Sequence, residues 1–506
     1  MDEKKKEPNR ILRKYILWSS IVGVLTVLSS AFFVLSIWYI NVFNVEFKEL
    51  IYTLLSPLKG TSSSMVSQIL WTCLPWVFLV VALYVVGAVC FYRFFYCRKP
   101  RGKLIRRIAV SASALLLVIS MVATVFSFRI PAYIAACLDS TTIYEDYYVD
   151  PNDVLITANG KTKNLIYIYV ESLETTYASV ADGGMQEVNY MPRLTQLAKE
   201  NINFTENADG TLGGFHNPVG TGWTIAALMA TTAGIPFSFP LSDSDNWGNE
   251  MDDRQVFASG LTTLGDILEE KGYRQEFLCG SDAAFAGRDM YFKQHGNYAL
   301  FDLFTAREEG YIPEDYFEFW GYEDAILFDI ARDELTKLAS KEGPFNFTML
   351  TVDLHHIGGY VCNECGSSYE NPTANVVDCN DRQVTEFVQW CMAQDFYEDS
   401  VIVITGDHPR MDQILVEGVN SIDRTMYNCF INSAVEPLGG VNGREFTCMD
   451  IFPTTLAAMG FEIEGNRLGL GVNLFSDQPT LTETMGFWPL NEEVGKYSDY
   501  YIQKFS

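Results

Sequence analysis

Basic residues are sparse over most of this 506-residue chain. Residues 1–107 hold 15 Lys and Arg against 5 Asp and Glu, which leaves only 21 of the 36 basic residues but 58 of the 63 acidic ones for the rest. So acidic a C-terminal part argues against nucleic-acid binding, which needs a basic face, and is compatible with a domain that binds cations. Charge of either sign is missing from three runs, Ile16–Ile40, Ile69–Tyr92 and Ile108–Phe128. Each has the length of the ~20 apolar residues that cross a bilayer core as a helix. A cleaved signal peptide has a shorter apolar core and a small-residue cleavage site, so the first run reads as a retained helix. Internal repeats and low-complexity tracts are absent. Histidine is scarce, with five in the chain, so where the histidines fall carries information.

The basic residues that are present cluster. Lys4, Lys5, Lys6, Arg10, Arg13 and Lys14 precede the first run, and Arg98, Lys99, Arg101, Lys103, Arg106 and Arg107 lie between the second and third. Lys and Arg favour cytoplasmic loops. Three spans with the N-terminus inside put both clusters in the cytoplasm and the large acidic part outside. The chain then divides into a transmembrane part at 1–128, a linker at 129–163 and an extracytoplasmic domain at 164–506. Val45–Leu55 is weakly amphipathic and is read as lying at the membrane surface.

The C-terminal part is organised around Val401–Arg410, VIVITGDHPR. Val401–Thr405 is wholly β-branched, the pattern of a parallel strand buried on both faces. Asn164–Val170 (NLIYIYV), Tyr273–Leu278 and Phe345–Val352 read the same way, with a shorter strand around Ile202–Thr205. Helices are expected at Met191–Ala198, Thr224–Thr232, Leu261–Lys271, Glu323–Glu342 and Arg382–Asp395, and a glycine-rich loop at Thr211–Gly222. Alternating helix and strand predicts one α/β domain with a mostly parallel central sheet.

In such sheets ligands bind beyond the carboxyl ends of the strands. Glu171, Asp282, His355-His356 and Asp407-His408 all stand there, and they include three of the five histidines. Carboxylate and imidazole donors suit Zn²⁺ or Mn²⁺. Thr224 opens a helix behind Gly220-Thr221-Gly222-Trp223. The local pattern alone favours an N-cap role for it. The other role is nucleophile, because a phosphate can dock where helix N–H groups point and metal coordination lowers a hydroxyl's pKa. Beyond residue 107 lie eight cysteines. Cys362-x-x-Cys365 fits either a zinc knuckle or a disulfide, and outside the cell the disulfide is preferred.

Read together, these motifs make the stretch from about Asn164 to Phe475 resemble the sulfatase/alkaline-phosphatase superfamily, and within it the membrane phosphoglycerol transferases, which include lipoteichoic acid synthases and the enzymes that modify periplasmic glucans. The resemblance rests on VESLE at Val170–Glu174, MPRLTQLAKENINFTEN at Met191–Asn207, GTGWTIAALMATTAGIPF at Gly220–Phe237, GSDAAFAGRDMYF at Gly280–Phe292, WGYED at Trp320–Asp324, TVDLHH at Thr351–His356, TGDH at Thr405–His408, DIFPTTLAAMGF at Asp450–Phe461 and GLGVNLFS at Gly469–Ser476. It implies that Glu171, Thr224, Asp407 and His408 hold one divalent ion, manganese foremost with zinc or magnesium as alternatives. It implies Thr224 as nucleophile, and Asp282, Arg288 and His355 as holders of a phosphoglycerol head group. His355 would also serve as acid or base, and His356 would support it. Phosphatidylglycerol would be the lipid donor and an envelope glycan or polymer the acceptor. The synthases carry Trp two residues before the Arg, where this chain has Ala286 beside Phe285, which leaves the aromatic wall of the pocket unassigned. A phosphoethanolamine transferase, which shares the threonine and the metal, and a phosphodiesterase of the same superfamily are alternatives. A sulfatase would show Cys or Ser followed by x-Pro-x-Arg, whereas Thr224 is followed by Ile-Ala-Ala. A non-catalytic sensor or polymer-binding protein is the remaining alternative, and the intact Glu171, Thr224, Asp407 and His408 count against it.

Reporter fusions test the topology. A fusion after Asp150 is expected to signal the outside and one within residues 97–107 the cytoplasm; the same signal from both removes the three-span arrangement.

Overall fold

The computed structural model describes residues 3–42, 47, 51, 63–94, 102–158, 160–238, 257–420 and 423–505. Val45–Leu55 and the basic stretch Arg98–Arg101, both given roles above, fall largely or wholly outside them. The chain forms two compact units, Met1–Phe47 with Ser63–Ile134, and Lys48–Ser62 with Ala135–Ser506.

The first unit contains α1 (Glu3–Val42), α2 (Ser63–Phe94) and α3 (Gly102–Ser127), with α1 packed on both others. Each is long and apolar enough to cross a membrane, over Leu12–Val42, Leu70–Phe94 and Leu104–Ser127. Ser36 and Thr124 hydroxyls meet at 2.8 Å between α1 and α3, a polar link of the kind that joins helices in lipid.

The second unit is built on a six-stranded sheet: β1 (Asn164–Val170), β2 (Arg274–Cys279), β3 (Ala299–Phe301), β4 (Phe345–Leu350), β5 (Ser400–Gly406) and β6 (Asn428–Ile431), in spatial order β3-β2-β4-β1-β5-β6. All pairs are parallel except β5 with β6. Both faces are covered, so the strands alternate between two cores. Leu165, Tyr167, Tyr169, Val401 and Val403 face one, with α5 (Thr224–Ala233), α6 (Leu264–Glu270) and α9 (Ile451–Ala458). Ile166, Ile168, Val170, Ile402 and Ile404 face the other, with α4 (Pro192–Glu200), α7 (Asp324–Ala339) and α8 (Pro372–Met392). The expected α/β fold with a mostly parallel sheet is therefore present.

Several details differ from the sequence reading. Residues 129–163, expected as a linker, carry helices at Ile130–Leu138 and Ile143–Tyr147 and a strand at Ile156–Ala158 that pairs antiparallel with Phe461–Ile463. Helix α8 begins at Pro372, well before the expected Arg382, because Asn371 caps it by accepting from Thr373 N–H at 3.0 Å and Pro372 suits its first turn. Ile202–Thr205 is not a strand; Ile202 makes a single bridge to Phe430. The glycine-rich loop contains a short strand, Phe215–His216, antiparallel to Thr425–Met426.

Glu276 on β2 tests the electrostatics of this sheet. It is buried, and its Oε1 has no hydrogen-bond partner among the described residues. Burial first, then the charge of Glu334, pushes its pKa up to about 7. An acid raised in the folded state keeps a proton that the unfolded chain has lost, so stability falls as pH rises from about 4.5 to 7. Glu276→Gln is expected to stabilise the domain at pH 8 by on the order of 2–3 kcal/mol and to leave it nearly unchanged at pH 4. Thermal melts at the two pH values read this difference; an equal effect at both refutes it.

Candidate active site

Strand register assembles the site. Val170 pairs with Gly406 and Tyr169 with Leu350, so β1, β4 and β5 end at one level. The next residues along each strand, Glu171, Thr351 and Asp407, emerge side by side. The Glu171 N–H donates to Thr351 Oγ1 at 3.0 Å, which ties two of these ends together.

Glu171, Asp407 and His408 are buried and offer ligand atoms within 4.8 Å of one another. His408 Nε2 lies 3.5 Å from Glu171 Oε1 and 3.4 Å from Asp407 Oδ2. Each donor is aimed by a second bond. Asp407 Oδ1 accepts from the Ser172 and His408 N–H groups, both at 2.8 Å. Its Oδ2 is buried with no hydrogen-bond partner among the described residues. The Ser172 hydroxyl donates to Glu171 Oε1 at 2.7 Å. His408 Nδ1 meets the Pro409 carbonyl at 3.1 Å. A carbonyl only accepts, so Nδ1 carries the proton and Nε2 presents its lone pair, as a metal-ligating imidazole does. Burial and the charge of Glu171 raise the Asp407 carboxyl to about 6. Burial works against positive charge on His408, but Asp407 and Glu171 outweigh it and raise its pKa. Two carboxylates and an imidazole that together draw positive charge to one buried point fit a divalent cation.

Thr224 joins this group, with Oγ1 3.3 Å from His408 Nε2. The N-cap reading fails. Trp223 is the cap residue, with extended backbone, and Thr224 is the first helical residue of α5. Its hydroxyl therefore has no capping duty. Thr221, the other hydroxyl in the loop, is fully buried and donates to the Pro218 carbonyl at 2.8 Å. Asn217 Nδ2 bonds both the Thr221 carbonyl, at 2.9 Å, and the Asp407 carbonyl, at 3.0 Å, so the entry to α5 is fastened to the end of β5.

A pocket opens onto these residues, lined by Glu171, Thr224, Arg288, His355, Phe285 and Trp320 among others. Arg288 is buried and locked by three bonds, from Nη2 to Ser281 Oγ at 2.9 Å and to the Asp282 carbonyl at 2.7 Å, and from Nε to the Phe285 carbonyl at 3.1 Å. His355 Nδ1 donates to the His356 carbonyl at 2.9 Å, which turns Nε2 into the acceptor. Burial pushes the His355 imidazole down to about 4, so the ring is neutral at pH 7.

Two residues assigned from sequence do not line the pocket. Asp282 turns its carboxylate to the Ala284 N–H, at 2.9 Å, and closes a turn. His356 stacks on His355 with centroids 4.1 Å apart and is buried behind it. One residue was missed. Trp320 packs 5.1 Å from Phe285 and 4.5 Å from His355, and so builds the aromatic wall left unassigned at Ala286. Ala286 itself has φ 57°, a conformation that bulky side chains adopt only with strain. The WGYED motif was the available signal for Trp320.

A mostly parallel sheet covered on both faces, with a carboxylate–imidazole cluster and a hydroxyl at its carboxyl edge, defines an α/β protein whose strand-end donors fit a cation. Sequence comparison gives the family. The model described as Sulfatase matches residues 163–461, and the chain belongs to that family. It is 30% identical over 372 residues to a protein of Xanthomonas axonopodis pv. citri named Phosphoglycerol transferase I, a match covering 72% of this chain and 49% of that one. A Salmonella choleraesuis protein of the same name is 31% identical over 341 residues, covering 66% and 41%. The chain thus spans less than half the length of these relatives. A solved structure similar to it is a protein in the alkaline phosphatase superfamily from Vibrio parahaemolyticus, with 19% identity, a TM-score of 0.48, and coverage of 66% of this chain and 76% of that one.

Asp407→Asn tests the cluster as a cation site. Titration of chelator-treated protein with Mn²⁺ is expected to show affinity lowered by more than the roughly 10–100-fold that loss of a supporting residue costs. Unchanged Mn²⁺ binding refutes it.

Proposed function

We propose that this protein is a membrane-bound transferase that moves phosphoglycerol from phosphatidylglycerol to a hydroxyl of an envelope glycan or teichoic-acid-like polymer, through a phospho-threonine intermediate. The observation that carries the reading is the Thr224 hydroxyl, free of capping duty and beside His408 Nε2, in a pocket shared with Arg288 and His355. Relatives named Phosphoglycerol transferase I support the head group.

Glu171, Asp407, His408 and Thr224 would hold one divalent ion, manganese foremost. When bound, such an ion stabilises charge on phosphate oxygens and lowers the pKa of a coordinated hydroxyl. Thr224 Oγ1 forms a bond to phosphorus as the bond from phosphorus to the diacylglycerol oxygen breaks. The threonine proton ends on the departing diacylglycerol. An acceptor hydroxyl then forms its own bond to phosphorus, the Thr224 Oγ1 bond breaks, and the acceptor's proton returns to Thr224. His355 Nε2, neutral and unprotonated, takes and passes on that proton. Arg288, with its guanidinium already fixed, holds phosphate oxygens through charge-assisted bonds. Phe285 and Trp320 enclose the glycerol moiety. Membrane spans keep the enzyme where its lipid donor is concentrated, and the catalytic domain faces the outside, where envelope polymers lie.

Thr224→Ala is expected to lower turnover by several orders of magnitude, about the range of other nucleophile deletions, while Thr224→Ser retains part of it. Mass spectrometry of protein trapped with labelled phosphatidylglycerol is expected to find glycerophosphate on the Thr224 peptide. An adduct on Thr221, or an active Thr224→Ala enzyme, overturns the nucleophile. Label transferred from phosphatidylethanolamine instead overturns the donor.

A further inference from the structure

Beyond His355 and His356, the loop leaving β4 carries Cys362 and Cys365, and Cys379 lies on α8. The sequence favoured a Cys362–Cys365 disulfide. In the structure no disulfide joins any of the ten described cysteines, and a third sulfur stands beside the pair. Cys362 Sγ lies 3.6 Å from Cys365 Sγ and 3.9 Å from Cys379 Sγ, and all three fall within 4.8 Å of one another.

We propose that Cys362, Cys365 and Cys379 form a thiolate site for a soft divalent cation of the zinc type, separate from the carboxylate–imidazole cluster, that clamps the His355 loop to α8. The proposal does not depend on phosphoglycerol transfer.

Three distances bear on it. A disulfide draws two sulfurs to about 2.05 Å and has no use for a third. Tetrahedral zinc, with Zn–S bonds of about 2.3 Å, sets its sulfurs about 3.8 Å apart. The spacings from Cys362 match the second arrangement. The local backbone matches as well. The Cys365 N–H closes a tight turn onto the Cys362 carbonyl at 3.2 Å. The thiolate is the form that ligates metal.

Charge supplies an independent argument. Three thiolates around a dication carry one net negative charge. Arg382 Nη2 stands 3.6 Å from Cys379 Sγ, with Glu364 and Glu386 also on its guanidinium. The surroundings are otherwise acidic. Asp353 is buried, and its Oδ1 lacks a hydrogen-bond partner among the described residues. A buried region with this much potential negative charge gains from a bound cation. No fourth His, Cys, Asp or Glu completes the group among the described residues, which leaves the fourth position open to a ligand from solvent. Cys362 and Cys379 are buried, which shields the thiolates from oxidants.

The test uses full-length protein purified in detergent without reductant and loaded with Co²⁺. A sulfur-to-cobalt charge-transfer band in the near ultraviolet is expected. It should persist in Asp407→Asn, whose altered site holds no sulfur, and vanish in Cys362→Ser/Cys379→Ser. In unsubstituted protein, alkylation should spare all three cysteines until a chelator is added, which covers the case of a variant that fails to fold. A disulfide among the three found by peptide mass spectrometry overturns the proposal. So does cobalt uptake without the band, or alkylation of the three thiols before chelation.

Discussion

The site depends on strand register. β1 lies between β4 and β5 with both neighbours parallel to it, so one pairing, Val170 opposite Gly406, decides what stands beside what at the carboxyl edge. A slip by one residue would turn every β1 side chain to the other face of the sheet. Leu165, Tyr167 and Tyr169 would trade cores with Ile166 and Ile168, and Glu171 would leave Asp407. The core thus enforces the chemistry, because the two apolar faces tolerate a single alignment. Gly406 guards the same point from the other side. A Cβ there would sit 2.0 Å from the Leu173 carbonyl oxygen, so the chain after β1 can pass over the end of β5 only because that residue has no side chain.

Charges near this edge fall into two sets that are handled differently. Glu174, Arg424, Arg410 and Asp412 are fully or nearly buried, and they pair among themselves. Glu174 Oε1 accepts from Arg424 Nη1 and from the Arg410 N–H, each at 2.6 Å, and Arg410 holds Asp412 through two bonds of 2.6 and 2.8 Å. Arg410 also reaches the Leu354 carbonyl at 3.0 Å, which links the loops after β4 and β5. This set is neutral and bracing. Breaking one partner would strand a buried charge, a costly change. Glu171 and Asp407 have no arginine. Their secondary bonds come from a hydroxyl and two backbone N–H groups, which orient the oxygens without neutralising them. The surplus charge is directed at the pocket.

The strands were legible because burial on both faces leaves a run such as VIVIT with nowhere polar to point, and the residues following such runs were the right place to look for ligands. What needed the fold was everything set by long-range contact. Trp320 lies in a loop without periodicity, and its meeting with Phe285 and His355 comes from where β2 and β4 end. Asp282 looked like its strand-end companions, yet one of its carboxylate oxygens closes a local turn, a competition that Asp side chains often win. The start of α8 was missed because PTANVVDCNDRQ has too many polar residues to read as amphipathic, although Asn371 and Pro372 are ordinary entry signals. Cys379 shows the same limit, since its approach to Cys362 follows from the packing of α8 and not from spacing.

The position of Thr224 shows how one residue of offset separates structure from chemistry. A threonine at the cap position spends its oxygen accepting from the backbone two or three residues on. Trp223 takes that position with φ −144° and ψ 158° and its side chain does not cap the helix. The first turn of α5 therefore keeps its N–H groups uncapped by any side chain, and Thr224 keeps its hydroxyl. Both are fastened to the strand edge through Asn217, which grips the carbonyls of Thr221 and Asp407 together. The helix is buried along its remaining length and ends at Gly234 with φ 68°, so it cannot rotate to carry the hydroxyl away. An unspent oxygen and uncapped N–H donors, held next to two carboxylates and an imidazole, make an arrangement that fold stability alone does not require, and it is the feature by which this edge of the sheet differs from the bracing network beside it.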